Sequence, residues 1–282
     1  MPTPDRFKLG LIQMRVEPGH KLANLDHAAK LVRAAADQGA EMVVLPEACT
    51  LGWTDTSART EADRIPDGVS FRRLCEIAEA SRVFLCAGMI ELEGAHIFNT
   101  AVLVDPAGRL LLRHRKINEL ELGHDFYGLG NQLQVVQTPF GWIGVHICAD
   151  AFADGQVLSR ALGYMGADVI LSPSSWAVPI DHDQAKDPYG KLWLDSYGPV
   201  ARDFRVWIAG VSNVGPIVTG PWAGRKCIGC SLVMNPKAEP VLRGPYGEEA
   251  ILICDVIPEE RPAQGDGWAR FWRERRNMTR NG

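Results

Sequence analysis

Apolar residues along this chain alternate between two rhythms, one of strands and one of helices. Lys8 to Met14 is a short, nearly unbroken apolar run that reads as a first strand. Lys21 to Asp37 sets Leu22, Leu25, Ala28, Ala29, Val32 and Ala35 on one face of a helix, which Gly39 stops. A second strand from Ala40 runs into Pro46, which ends regular pairing. Phe71 to Ser81 then predicts a helix, Val83 to Ile90 a strand, and Ile97 to Lys116 a long hairpin turned at Asp105-Pro106-Ala107-Gly108. Further on, Trp142 to Ile147 is a small apolar strand and Gln156 to Met165 a helix. Ala167 to Pro173 is a strand, Leu192 to Phe204 a helix and Val206 to Ser212 another strand, while Cys230 to Met234 alternates as a core strand would. Helices interleaved with strands predict an α/β fold in which parallel and antiparallel pairing are mixed, without repeats or low-complexity tracts.

The 282 residues, 46% of them hydrophobic, suffice for one large core, and nothing in the pattern divides residues 1–282 into a second domain. A net charge of -4 gives no electrostatic reason to expect nucleic acid or an anionic membrane as a partner, so the expected ligand is a small molecule. No apolar stretch reaches the roughly 18 residues of a membrane span, and no leader pattern opens the chain. The expectation is a cytoplasmic protein. Seven cysteines, an odd number thinly spread, fit a reducing compartment better than a disulfide scaffold. Cys227-Ile228-Gly229-Cys230 has C-x-x-C spacing, but no second such pair or spaced His pair accompanies it, and it reads as core. The stretch Val178 to Lys191 carries Asp181, His182, Asp183 and Asp187 among Pro179, Pro188 and Gly190 and reads as a solvated acidic loop. No metal and no cofactor is expected.

Candidate chemistry gathers where strands end. The run Trp142 to Ile147 stops on Cys148, and the chain turns at once through Ala149, Asp150 and on to Gly155. A buried cysteine is ordinarily a small hydrophobe, and a thiol needs a base or a positive charge before it attacks anything. Two other strand ends supply such partners. Glu47 emerges just beyond Pro46, and Lys116 closes the hairpin after Arg113-His114-Arg115. Taken singly, the first reads as a solvated charge and the second as part of a protective basic edge. Together they put a carboxylate, an ammonium and a thiol at three strand termini, the places where α/β folds expose chemistry.

At these residues the chain resembles the nitrilase superfamily of carbon-nitrogen hydrolases. The signature segments come in order: Leu45-Pro46-Glu47 with Gly52 and Trp53, Arg115-Lys116-Ile117, and Gly144-Val145-His146-Ile147-Cys148-Ala149-Asp150. Lys116 lies 32 positions before Cys148, with Gly130, Thr138-Pro139 and Gly141 between them. The likeness covers nearly the whole chain, through Asn213 and on to Pro236. It implies a four-layer α-β-β-α sandwich, a homodimer or higher homo-oligomer with the C-terminal segment 265–282 at a subunit contact, and a cysteine hydrolase. In that hydrolase Glu47 is the base and acid, and Lys116 with the Ala149 backbone N–H forms the oxyanion site. Members usually carry a second glutamate between the lysine and the cysteine. Counting without gaps puts His124 at that position, with Glu121 three residues early and Asp125 one late, and Glu121 ranks slightly ahead because it keeps the side-chain length.

Substrate preference is read from fewer residues. Ala149-Asp150 after the nucleophile, in place of the Trp-Glu that the resemblance associates with nitrile hydrolysis, favours an amide over a nitrile. No arginine that could clamp an N-carbamoyl acid follows the nucleophile closely, Arg160 being the nearest. Ser174 and Trp176 end a strand near the expected pocket, and Trp176 with Trp53 and Phe126 or Tyr127 would make apolar walls. The expected partner is therefore a small amide, with nitrile hydrolysis, an N-carbamoyl substrate or an idle scaffold as the other readings.

Overall fold

The computed structural model describes residues 6–259. The segment 265–282, expected at a subunit contact, lies outside the described residues. The first half runs β1 (Phe7–Gln13), α1 (Lys21–Asp37), β2 (Met42–Val44), α2 (Ala58–Glu61), α3 (Val69–Ser81), β3 (Phe84–Glu93), β4 (His96–Val104) and β5 (Leu110–Arg115). The second runs β6 (Val135–Thr138), β7 (Gly141–Val145), α4 (Val157–Tyr164), β8 (Val169–Ser174), β9 (Ala177–Pro179), α5 (Lys191–Phe204) and β10 (Trp207–Ser212). It continues with β11 (Val214–Ile217), β12 (Arg225–Ile228), β13 (Leu232–Met234), β14 (Pro240–Arg243) and β15 (Ala250–Val256).

Two six-stranded sheets form, in the orders β15-β1-β2-β3-β4-β5 and β14-β13-β10-β8-β7-β6. The two-residue period of each strand decides what it meets. In the first sheet Leu9, Leu11, Met42, Val44, Ala101 and Leu103 join the core shared with the second sheet. Their neighbours Ile12, Val43, Val102 and Val104 point the other way, onto the apolar faces of α1 and α3. Leu25, Ala28, Val32 and Ala35 are the buried stripe of α1, as the helical spacing predicts, whereas Ala29 is half-buried and Leu22, in the first turn, is exposed. The second sheet packs Ile143, Val145, Leu171 and Val211 inward and carries α5 on its far side through Tyr197, Val200 and Phe204. The result is the four-layer α-β-β-α sandwich of a mixed α/β fold, parallel at β1·β2, β2·β3, β7·β8 and β8·β10 and antiparallel elsewhere.

Several features depart from the sequence reading, the short β6, β14 and α2 among them. β15, which the reading leaves unassigned, closes the first sheet antiparallel to β1. A small third sheet, β11-β12-β9, covers one end. The strand expected over Cys230–Met234 starts only at Leu232. Gln13 is the reason: its side-chain carbonyl accepts the Ser231 N–H at 3.0 Å, and Cys230 bends away at φ 57°. Among the described residues no helix is long and apolar enough to cross a membrane, and no group of three or more His, Cys, Asp or Glu could hold a metal ion.

Candidate active site

The thiol and its expected partners come from opposite sheets. Glu47 follows β2 and Lys116 follows β5, both in the first sheet, whereas Cys148 follows β7 in the second. All three are buried. Lys116 Nζ lies 2.8 Å from Glu47 Oε1, and Cys148 lines the same cavity as Glu47, Lys116 and Ser175. Cys148 itself adopts φ 44°, a left-handed conformation that costs a non-glycine residue on the order of 1 kcal/mol. That turn lifts the side chain out of the strand direction and toward Glu47.

Glu47 can approach the sheet seam because of Gly88 in the neighbouring β3. A Cβ there would stand 2.5 Å from the Glu47 Cα and 2.6 Å from the Pro46 carbonyl oxygen, so only glycine lets the backbone carrying the carboxylate settle against its neighbour. From the other sheet, Ser174 O accepts the Glu47 N–H at 3.3 Å, and the Ser175 hydroxyl donates to Glu47 O at 3.3 Å.

The second carboxylate on Lys116 is Glu119, which the gap-free count passes over. Its Oε1 accepts from Lys116 Nζ at 2.8 Å, and Asn99 Nδ2 bridges it to Glu47, at 3.2 Å and 2.7 Å. Glu121, His124 and Asp125 are all exposed, and none of them reaches Lys116. The physical cause is a bend in the loop after β5. Asp150 Oδ1 accepts the Ile117 and Asn118 N–H groups at 3.0 Å and 2.7 Å, which swings the next residue, Glu119, back beneath the ammonium. Gly123 leaves the space it needs, since a Cβ there would lie 2.7 Å from the Glu119 Cγ. The available sequence signal was the i, i+3 spacing of Lys116 and Glu119 across a turn.

Asp150 also accepts from His114 Nε2 at 2.8 Å and from the Ile147 N–H at 2.9 Å. Asn118 adds a hydrogen bond to the Ala149 carbonyl at 2.7 Å. The turn of the nucleophile and the loop of the lysine are thereby tied to one carboxylate. Burial alone would raise its pKa, but these donors prevail and hold it at about 2.

Burial pushes the Cys148 thiol well up and Glu47 reinforces this, with Lys116 and the Ser175 N–H opposing. The resting Cys148 side chain is a thiol. Burial also raises Glu47, Lys116 draws it down and Glu119 pushes it back up, leaving it above the usual 4.5 of a glutamate. Lys116 loses stability as a cation through burial, yet Glu47, Glu119 and Cys148 together keep it charged. This balance predicts the acid limb of catalysis. With Glu47 as the base that the resemblance implies, its protonation should lower activity as pH drops through its raised pKa. In Glu119→Gln, which removes a charge that raises Glu47, the limb of the kcat/KM profile should move to lower pH. A limb that stays in place or rises would take Glu119 out of that balance.

The thiol opens onto a cavity of about 230 Å3. Trp53 and Trp176 line it as expected, and Ser175 lines it rather than Ser174, whose hydroxyl turns back to the Ser172 carbonyl. Phe126 and Tyr127 stay out of it. Tyr127 is buried behind Trp53 with its hydroxyl accepting the Thr54 N–H at 2.8 Å, and Phe126 lies under the Arg59 guanidinium. Phe152, Tyr189, Leu192, Trp193 and Trp222, with Leu120 and Ala177, complete the wall, and none of them was singled out from the sequence as a wall residue.

The family model for carbon-nitrogen hydrolases matches residues 8–261. Among curated proteins, the chain is 33% identical over 269 residues to the omega-amidase NIT2 of Mus musculus, covering 89% of this chain and 88% of that one. It is 30% identical over 254 residues to a nitrilase of Pyrococcus abyssi, covering 88% and 89%. Among solved structures, an amidase from Nesterenkonia sp. AN1 is similar in fold with TM-score 0.78 at 20% identity, over 100% of this chain and 98% of that one. Saccharomyces cerevisiae Nit3 is similar with TM-score 0.77 at 22% identity, over 91% and 92%.

Proposed function

The chain belongs to the carbon-nitrogen hydrolase family, and from that we propose that it is an amidase, which converts a small amide to an acid and ammonia through a thioester on Cys148. The observation that supports this reading is the buried cluster: Glu47, Lys116 and Cys148 line one cavity, with the Lys116 ammonium held between Glu47 and Glu119.

The sulfur attacks the amide carbon as Glu47 takes the thiol proton, forming a C–S bond and placing negative charge on the carbonyl oxygen. The Lys116 ammonium and the Ala149 N–H stabilise that oxygen, donors of this kind being worth about 3 to 4 kcal/mol each. Glu47 passes its proton to the nitrogen, the C–N bond breaks and ammonia leaves. The same carboxylate then removes a proton from water, hydroxide adds to the thioester, and the departing sulfur regains its proton from Glu47 as the acid is released. Glu119 and Asn99 hold the ammonium and the carboxylate in register throughout. Ala149-Asp150 after the nucleophile supports an amide rather than a nitrile as the substrate.

Mass spectrometry after brief exposure to amides tests this reading. The expected result is an acyl adduct confined to Cys148, with ammonia and acid released in equal amounts. No adduct and no ammonia across a broad amide panel would overturn it.

A further inference from the structure

The wall around the thiol is mostly apolar. Beyond Glu47, Lys116 and Cys148, the cavity is bounded chiefly by Trp53, Phe152, Trp176, Tyr189, Trp193 and Trp222, with two leucines at its edge. Two of its few polar side chains already bond within the protein. The Ser175 hydroxyl bonds the Glu47 carbonyl and the Tyr189 hydroxyl accepts from Trp193 Nε1 at 2.9 Å, while the indole N–H groups of Trp53 and Trp176 are buried without a partner and are uncharged donors.

Charge points the same way. Lys116 is the only cation lining the cavity among the described residues, and two carboxylates at 2.8 Å each already share it. With both ionised, the buried trio of Glu47, Lys116 and Glu119 carries a net negative charge. Arg160, the arginine nearest the nucleophile in sequence, pairs with Asp203 at 2.8 Å. Arg225 stacks on the Trp222 ring, 5.0 Å from its centroid, without lining the cavity. A carboxylate on the acyl chain would lose its hydration here and, among the described residues, meet no free counter-ion. An uncharged ring meets what it prefers, aromatic faces and a dry wall. Benzene fills a cavity of about 150 Å3, so about 230 Å3 admits a ring of that size with the amide beside it.

We infer that this site takes neutral amides with an apolar acyl group of about benzene size, arylalkyl or short aliphatic, and rejects amides whose acyl chain ends in a carboxylate. The inference rests on the amidase reading and goes beyond it to the substrate class.

Ammonia release should be measured with phenylacetamide, hexanamide, the monoamide of glutaric acid and 4-aminobutyramide. The expected kcat/KM is at least 100-fold higher for phenylacetamide than for the glutaric monoamide, with the cationic amide also poor. Leu192, 49% exposed where it borders the cavity, offers a gain-of-function variant. Leu192→Arg should supply the missing counter-ion and raise kcat/KM on the glutaric monoamide at least tenfold. Equal or better turnover of a charged amide by the unaltered enzyme, or no gain from Leu192→Arg, would overturn the inference and leave the amidase reading standing. Ammonia from none of the four, nor from any other amide, would overturn the amidase reading and this inference with it.

Discussion

Alanine in place of Cys148 is expected to abolish amide turnover, by on the order of 10^4-fold or more, while the protein melts within a few degrees of the unaltered chain. The rate effect is large because the covalent route disappears altogether, and Glu47 and Lys116 have no other nucleophile to serve. Water held by Glu47 would have to attack an unactivated amide directly. The stability effect is small for two reasons. The thiol is desolvated, which burial and Glu47 make unfavourable for its ionised form, and Cys→Ala leaves only a sulfur-sized gap beside an existing cavity. Alanine also meets the same φ 44° that cysteine tolerates. Steady-state ammonia release and calorimetry on both proteins check this. Retention of more than about one per cent of the activity would remove Cys148 from the chemistry, and an equally inactive unaltered chain would favour the scaffold reading.

Asp150→Asn is expected to lower both stability and rate, with a loss of roughly 3 to 5 kcal/mol and a melting temperature down by roughly 5 to 15 °C. One oxygen of Asp150 serves the Ile117 and Asn118 amides and the other serves His114 and the Ile147 amide. An asparagine can keep one oxygen for one pair of donors, but must turn an NH2 group on the other pair. Buried donors facing a donor cost about 1 to 3 kcal/mol each. The consequence reaches the chemistry because the same carboxylate sets both the turn of Cys148 and the bend that delivers Glu119 to Lys116. A fall in kcat of at least tenfold should accompany the stability loss. The pH dependence has a definite sign. Asp150 titrates at about 2 in the folded chain against 3.8 ordinarily, so it contributes stability above pH 3.8 and loses it as pH falls through about 2, roughly 2 kcal/mol in all. The variant should lack that acid-side loss. Unchanged melting and kcat within twofold would show that Asp150 ties nothing together.

The architecture was legible because each strand states its layer by alternation and each helix by its stripe. Glu47, Lys116 and Cys148 were legible because a proline, a basic run and a thiol each interrupt an apolar pattern at the point where a strand ends. Glu119 was hidden by a contact between residues more than 30 positions apart, since only the bend imposed by Asp150 makes Lys116 and Glu119 neighbours. Trp193 was hidden in another way: on α5 it occupies the same apolar stripe as Tyr197 and Val200, and periodicity does not separate a residue facing a cavity from one facing core. Tyr127 shows the converse, an aromatic near the site whose ring supports Trp53 from behind.

The division of the machinery between two sheets has a mechanical consequence. No covalent frame of reference joins thiol to carboxylate except the long way round the chain, so their separation is set by how one sheet is docked on the other. A displacement of about 1 Å at a reacting pair can cost about a hundredfold in rate, far less movement than is needed to melt a core. On the proposed mechanism, turnover in this protein is therefore a vernier for the seam between the layers. Repacking Leu11, Val44, Val145 or Leu171, none of which lines the cavity, would register first as a slower enzyme and only later as a less stable one.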